Sequence, residues 1–368
     1  MKNIDQPLFF TFVGLLLFGL VMMSSMSVAP SYENTGQNYY YFVRHFIYII
    51  VGIPVFLVAL TIPLETVKRF SLWFYLFGIG LLLMVLLSGS SFDTTAQAWL
   101  VFFGFSFQPV ELVKLAIIIF LSALFASGKY RTDTLEGGLV PFLFVLSIPA
   151  VLIMMQPDFG GLFILTLIGI TIFFVAGANI KHLFVGSGFG AVGAVIILLL
   201  VDYIRERFAV LWNPDLDPYG AGFQIKQALI AIGSGELFGR GFQNSIQKFN
   251  YLPEVQSDTI FSAISEEMGF FRILVLLGAY FFIVYKSIHI AKNASDDFSR
   301  YMAVGLSTWI VGQALINIGV NLAVFPNTGI TLPIISYGGT SLIMTMIAMG
   351  LLLNISAQTS VTPKRRYY

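Results

Sequence analysis

The sequence predicts an all-α polytopic membrane protein, with about ten transmembrane helices and a large extracytoplasmic loop between helices 7 and 8. Three observations carry this. Of 368 residues, 57% are hydrophobic and only 11% charged, far below the share of charge in a soluble domain. Apolar runs long enough to cross a bilayer recur along the whole chain. Charge is concentrated instead in one stretch, since residues 204–268 hold 13 of the 39 charged side chains.

Ten segments meet the length test for a span, at roughly 8–28, 43–62, 70–89, 110–127, 138–155, 161–178, 183–203, 269–290, 301–325 and 340–357. The first follows Lys2 and precedes a faint cleavage-like Ser27-Val28-Ala29; more spans follow, so it reads as an uncleaved span. One set of short connections holds Lys68, Arg69, Lys129, Arg131, Lys181, Lys286, Lys292 and Arg300, and the C-terminal tail adds Lys364, Arg365 and Arg366. The other short connections hold almost no basic residue, Arg44 being the main exception. The asymmetry places both termini in the cytoplasm of a multi-pass cytoplasmic-membrane protein. Loops near 29–42, 90–109, 156–160, 204–268 and 326–339 then face outward.

Composition also excludes chemistry. The net charge of +1 implies no nucleic-acid partner. With no cysteine and three scattered histidines, thiolate and histidine metal sites are out. Acidic side chains could still hold Mg²⁺ with waters. No phosphate-loop, dinucleotide or Ser/His/Asp pattern is present.

The long loop carries local order. Trp212-Asn213-Pro214-Asp215 reads as a turn. Residues 222–232 put Phe223, Ile225, Ala228, Leu229 and Ile232 near one helical face, as in a short interfacial helix. At the loop's end, Asp258 stands just before the apolar run from Thr259, with Glu254 four residues earlier. A carboxylate at a lipid–water boundary suits a general base, and equally a helix cap. Lys248, Arg240, Arg205 and Arg207 are candidates for phosphate oxygens, or for lipid headgroups.

Two further constellations lie elsewhere. Glu111 and Lys114 open the fourth span three residues apart, so they share a face and can pair; charge inside a span favours a functional site over a structural pair. Asp158 sits in Gln156-Pro157-Asp158-Phe159-Gly160-Gly161, where a turn is the plainer reading and a partnership with Lys114 or a cation the alternative. Residues 326–339 are rich in Gly and Pro yet apolar, which fits a re-entrant loop buried in protein. Asn317 and Asn321, four apart, face the same way, and interhelical hydrogen bonding is their default role.

These stretches together resemble the SEDS family of membrane glycosyltransferases, the group of FtsW, RodA and SpoVE. The matching runs are FQPVELVK (107–114), QPDFGG (156–161), DPYGAGFQIKQALIAIGSGELFGRGF (217–242), SIQKFNYLPEVQSDTIFSAISEEMGF (245–270) and NIGVNLAVFPNTGITLPIISYGGTSLI (317–343). The Pro218–Gln224 run and the FNYLPE wording are nearer to FtsW than to RodA. The resemblance implies one SEDS-type membrane domain over residues 1–368 that polymerises lipid II into peptidoglycan strands. It implies Asp258 as the essential carboxylate, although Gln256-Ser257 replace the family's usual His-Thr. Basic residues usual before Trp99 are also missing; if those help bind pyrophosphate in the family, another residue must substitute here. Glu111, Lys114, Asp158, Lys248, Arg240 and Glu254 become substrate-site candidates. The implied partners are lipid II, undecaprenyl-pyrophosphate-linked glycan, membrane lipids and a class B penicillin-binding protein. A lipid II flippase and a non-catalytic scaffold are the competing readings.

Overall fold

The computed structural model describes residues 4–89, 98–102, 105–182, 184, 188, 201–249 and 251–359. Helices dominate: α1 (Gln6–Met26), α2 (Val28–Thr35), α3 (Tyr40–Thr61), α4 (Leu64–Arg69), α5 (Ser71–Ser88), α6 (Pro109–Phe125), α7 (Val140–Met155), α8 (Phe159–Val175), α9 (Asp202–Trp212), α10 (Ala221–Ser234), α11 (Ile260–Lys292), α12 (Asp297–Asn321) and α13 (Gly339–Thr359). Among the described residues the β structure is one antiparallel hairpin, β1 (Leu100–Phe102) and β2 (Phe105–Phe107), which pairs Leu100 with Phe107.

Seven helical segments are long and apolar enough to cross a bilayer, α7 counting together with the π-helical turn Leu135–Leu139 that precedes it. Helices α6 and α8, 17 residues each, run among them. Nine of the ten expected spans therefore coincide with helices, and the tenth, 183–203, lies mostly outside the described residues. Spans consecutive in sequence alternate in direction within 6–175 and within 260–359, so that neighbours such as α3 and α13 run parallel. At one end Lys286 pairs with Asp5 at 2.9 Å, Asn354 donates to Ala59 O and Ile62 O, and Thr132 donates to Ala176 O. At the other end Ser336 donates to Ser257 O and Gln108 N–H to Thr340 Oγ1.

Small residues set the closest contacts, as expected where packing rather than water drives helix association. A Cβ on Gly339 would meet the Tyr48 ring at 2.4 Å, and one on Gly350 would meet Phe56 O at 2.8 Å. These contacts clamp α3 to α13. Helix α12 is the bundle's central post, with Met302, Leu306, Trp309, Ile310 and Ala314 all buried.

The 326–339 segment is the buried, non-helical loop the sequence suggests. Leu332, Pro333, Ile334, Ile335 and Ser336 are buried. Irregular backbone at such depth needs internal partners, and it has them. Tyr280 donates to Pro333 O at 2.6 Å, Gln313 Nε2 to Thr331 O at 3.2 Å, and Asn317 Nδ2 to Ile330 O at 2.7 Å. In the long loop, Asn213 caps the expected turn, Asp217 accepts from Gly220 N–H and Ala221 N–H ahead of α10, and α10 covers the expected helix.

Span eight differs from expectation. Helix α11 starts at Ile260, nine residues early, and contains a break at Gly269 (φ 72°, ψ 175°). The glycine that reads as a boundary in the sequence is a joint inside a longer helix, possible because Gly tolerates positive φ.

Candidate functional site

Asp258 lies at the end of a tight turn that begins at Glu254, a non-glycine residue at φ 52°. Ser257 N–H closes this turn on Glu254 O at 2.9 Å, and Thr259 Oγ1 donates to Pro253 O at 2.6 Å. Ser257 Oγ then stands between two carboxyls, 2.8 Å from Glu254 Oε2 and 3.0 Å from Asp258 Oδ1. A hydroxyl has one proton to give, so it cannot serve both carboxylates at once. Gln256 Nε2 adds a second donor to Glu254 Oε2 at 3.1 Å.

The Asp258 side chain keeps some solvent contact, yet protein crowds it closely. Burial, and then the negative charge of Glu254, push its pKa up to about 6; its own backbone, Ser257 and the Arg207 charge offset only part of this. A carboxylate so placed is a stronger proton acceptor than one in water.

Its main chain is held from below. Asn317 Nδ2 and Asn321 Nδ2 both donate to Asp258 O, at 2.8 and 2.9 Å. Asn321 Oδ1 accepts from Ser262 Oγ at 2.6 Å. One turn deeper on the same face, Gln313 Oε1 accepts from Lys114 Nζ at 2.7 Å and from Trp309 Nε1 at 3.0 Å. Lys114 in turn pairs with Glu111 at 2.8 Å, both buried. Gln313, Asn317 and Asn321 thus form a polar ladder along α12 that joins the Glu111–Lys114 pair to the Asp258 peptide. The expected pairing on α6 is present, and the two asparagines have a more specific acceptor than spacing could show.

Asp158 caps α8, accepting from Gly161 N–H at 2.7 Å, and also meets Gln108 Nε2 at 3.4 Å. Burial raises its pKa, while the Lys114 charge pulls the other way. The turn reading holds, whereas the direct partners of Lys114 are Glu111 and Gln313.

The basic candidates need correction. Lys248 is not presented to Asp258. It is buried, with Nζ 3.0 Å from Glu267 Oε1 and donating to Ser25 Oγ and Gln243 O. Arg240 is half-exposed and leans on Glu266 at 3.5 Å. Both serve the loop's own scaffold, because two buried glutamates demand compensation. Arg205 pairs with Asp202 at the surface. Arg207 is the one of the four that reaches the site: it donates to Asn327 O, and its charge is felt at Asp258. Arg44 is a second. It hydrogen-bonds Tyr337, whose N–H donates to Gln256 O, and its guanidinium lies 4.7 Å from the centre of the Tyr40 ring. The signal for Arg44 was its position as the basic exception among the outward loops.

For a metal, the described residues contain no group of three or more His, Asp or Glu side chains. Glu254 and Asp258 supply two carboxylates, a donor set that fits Mg²⁺ shared with substrate phosphates and waters. Three buried acceptors nearby, Glu111 Oε2, Asn317 Oδ1 and Gln256 Oε1, have no partner among the described residues, which makes them places for ordered water.

A sequence model of the cell cycle protein family FTSW_RODA_SPOVE matches residues 6–361. The chain belongs to this family. Relatives called probable peptidoglycan glycosyltransferase FtsW support the FtsW side of it. One from Idiomarina loihiensis is 36% identical, covering 95% of this chain and 86% of its own. One from Trichlorobacter lovleyi is 35% identical, covering 98% and 94%. Solved structures share the fold. A chain of a peptidoglycan synthase complex, described for its coordination of polymerization and crosslinking, superposes with a TM-score of 0.81 at 24% identity, covering 98% of this chain and 100% of its own. The rod shape determining protein RodA of Thermus thermophilus gives 0.71 at 24% identity, covering 97% of each chain.

Proposed function

We propose that this protein is a peptidoglycan glycosyltransferase that polymerises lipid II at the outer face of the cytoplasmic membrane. One observation carries the reading: Asp258 has its backbone pinned by two asparagines while its carboxyl, crowded by Glu254, is left proton-hungry at the membrane rim. The FtsW-named relatives support the reaction class. The basic residues at the opposite end, Lys68, Arg69, Lys129, Arg131, Lys292 and Arg300, support a cytoplasmic placement of that end and of both termini.

In this reaction Asp258 takes the proton from the 4-hydroxyl of the acceptor lipid II GlcNAc. The freed oxygen attacks C1 of the donor MurNAc from the face opposite the leaving group. The C1–O bond to undecaprenyl pyrophosphate breaks, and the configuration inverts. Arg207 and Arg44 are the cations placed to meet leaving-group charge. They take the part that the absent basic residues before Trp99 would otherwise play. Glu254 raises the basicity of Asp258, and Glu111–Lys114 fixes the ladder beneath it. Glu254 is the residue that would hold Mg²⁺, and the chemistry the ion would supply is neutralisation of pyrophosphate charge. A class B penicillin-binding protein as partner fits a strand-making enzyme whose product needs crosslinking.

A flippase would need polar groups across the midplane. Here the ladder stops at Gln313; the next turns of that face are buried Trp309, Leu306 and Met302. A scaffold would need no proton acceptor. The decisive assay is purified protein with labelled lipid II, with and without the partner, followed by glycan-length gels. Long strands from the wild type and none from Asp258→Asn are expected. Unchanged polymerisation by that variant would refute the assignment.

A further inference from the structure

The break in α11 does more than bend a helix. Across it the loop at 236–241 is spliced into the helix by four backbone hydrogen bonds. Arg240 N–H and Gly241 N–H donate to Glu266 O and Glu267 O, at 2.9 and 3.0 Å. Phe270 N–H and Phe271 N–H donate to Glu236 O and Leu237 O, at 2.9 and 3.2 Å. The approach is so close that a Cβ on Gly269 would lie 2.1 Å from Gly239 N, and one on Gly239 would lie 2.2 Å from Glu267 O. The loop is therefore fixed at one height on the helix.

That height is the edge of the hydrocarbon. Helix α11 ends in the basic residues His289 and Lys292. Counting back about 20 residues at 1.5 Å each, the thickness of a bilayer core, reaches Gly269 and Phe270. From there the lipid-facing surface of α11 runs through Phe270 and Val275, 53% and 74% exposed. Leu237 and Phe238 continue it without a gap: they are 53% and 69% exposed, and the Phe238 ring lies 5.5 Å from that of Phe271. A loop tip can rest at that depth because its backbone groups are paired.

Arg272 stands one turn inside the break and is exposed. Its Nη1 donates to Phe238 O at 2.6 Å and to Met268 O at 3.1 Å, holding the loop tip to the helix. A guanidinium has five N–H groups, so others remain for an acceptor outside the protein. An exposed arginine in the first turns of a span is costly unless it meets headgroups.

We propose that Leu237 and Phe238, with Arg272, form a lipid-docking wedge. It seats in the headgroup–acyl boundary of the leaflet at the Asp258 end, with the two apolar side chains in the acyl region and the guanidinium on a phospholipid phosphate. The wedge sits on the segment that also carries Glu266 and Glu267, so it sets the height of the long loop over the membrane. It does not depend on which reaction the protein performs.

The chain contains no cysteine, so a single introduced thiol reports cleanly. Phe238→Cys, labelled with a nitrobenzoxadiazole fluorophore, is reconstituted in phosphatidylcholine–phosphatidylglycerol vesicles without lipid substrate. Quenching by nitroxides at shallow acyl positions and poor quenching by aqueous iodide are expected. Tyr219→Cys, at a side chain 95% exposed, is the solvent reference and should be quenched by iodide about threefold more or better. Adding Arg272→Gln should move the position 238 probe toward water. Equal iodide quenching at 238 and 219, or no lipid quenching at 238, overturns the wedge. So does lipid protection at 238 that first appears when a partner protein is added. An unmoved probe in Arg272→Gln overturns the phosphate contact. Leu237→Cys repeats the measurement if Phe238→Cys fails to yield monodisperse protein.

Discussion

Two pairs of carboxylates lie within fourteen residues of each other and have opposite fates. Glu266 and Glu267 are almost fully buried, and each accepts from several donors, although Glu267 Oε2 has no partner among the described residues. Glu266 accepts from Ser245 Oγ, Ile246 N–H and Gln247 N–H, at 2.6, 3.1 and 3.2 Å. Glu267 Oε1 accepts from Ser25 Oγ and Lys248 Nζ, at 2.7 and 3.0 Å. Glu254 and Asp258 instead divide one serine hydroxyl between them. The first pair is spent on holding the loop against α1 and α11. The second is left under-compensated, and unused proton affinity is what a general base requires. The contrast shows why burial and charge alone did not separate site from scaffold in this loop.

The largest expected effect tests the second pair. Asp258→Asn should lower lipid II polymerisation by about 100-fold or more, the usual share of a general base. It should leave the melting temperature at pH 7.5 equal or higher. The sign follows from the raised pKa, about 6 against 3.8. The ionised carboxylate is penalised in the native state, a cost absent below the unfolded value and complete above the folded one. The variant's gain in stability therefore vanishes near pH 4. A clear drop in melting temperature at pH 7.5 would place Asp258 with the structural pair.

The mirror experiment is Glu267→Ala. It leaves Lys248 buried without its carboxylate, a loss of about 3–5 kcal/mol, read as lower melting temperature and yield. Glu267→Leu with Lys248→Met should recover much of this. If the double variant is as unstable as the single one, the pair is not what the loop depends on.

Next come the ladder variants. Asn317→Ala or Asn321→Ala should each lower kcat about tenfold with little change in KM, because a misplaced base costs rate rather than binding. A change in KM alone would argue against positioning. The smallest effect is Glu254→Gln. Activity of the wild type should fall with the acid limb near pH 6 as Asp258 protonates. Removing the neighbouring charge should move that limb to lower pH. A limb that stays in place would remove Glu254 from the site.

Much of this was legible in the sequence, and the remainder failed for definable reasons. Hydropathy located the described spans because bilayer thickness fixes their length. Asp258 stands out by its place before an apolar run, where base and cap read alike, and the family resemblance favours the base. The Glu111–Lys114 pair and the shared face of Asn317 and Asn321 follow from local spacing. The partners of Lys248 do not: Ser25 is over two hundred residues away, and a lysine bound for an internal glutamate reads like one bound for phosphate. Arg207 and Arg44 reach the site only through the tertiary path of the 326–339 loop, by way of Asn327 and Tyr337. Gly269 was misplaced as a boundary because a glycine joint and a helix start have the same local signature.

Helix α12 runs 25 residues from Asp297 to Asn321, so it reaches about 37 Å from one water layer to the other. Its last rungs grip the peptide of Asp258, and its first turn lies among the loops at the far end. The proton acceptor is thus mounted on a rigid strut that bridges both faces of the bilayer. A tilt of a few degrees at the Asp297 end displaces the other tip by ångströms, enough to move a carboxylate in or out of reach of a sugar hydroxyl.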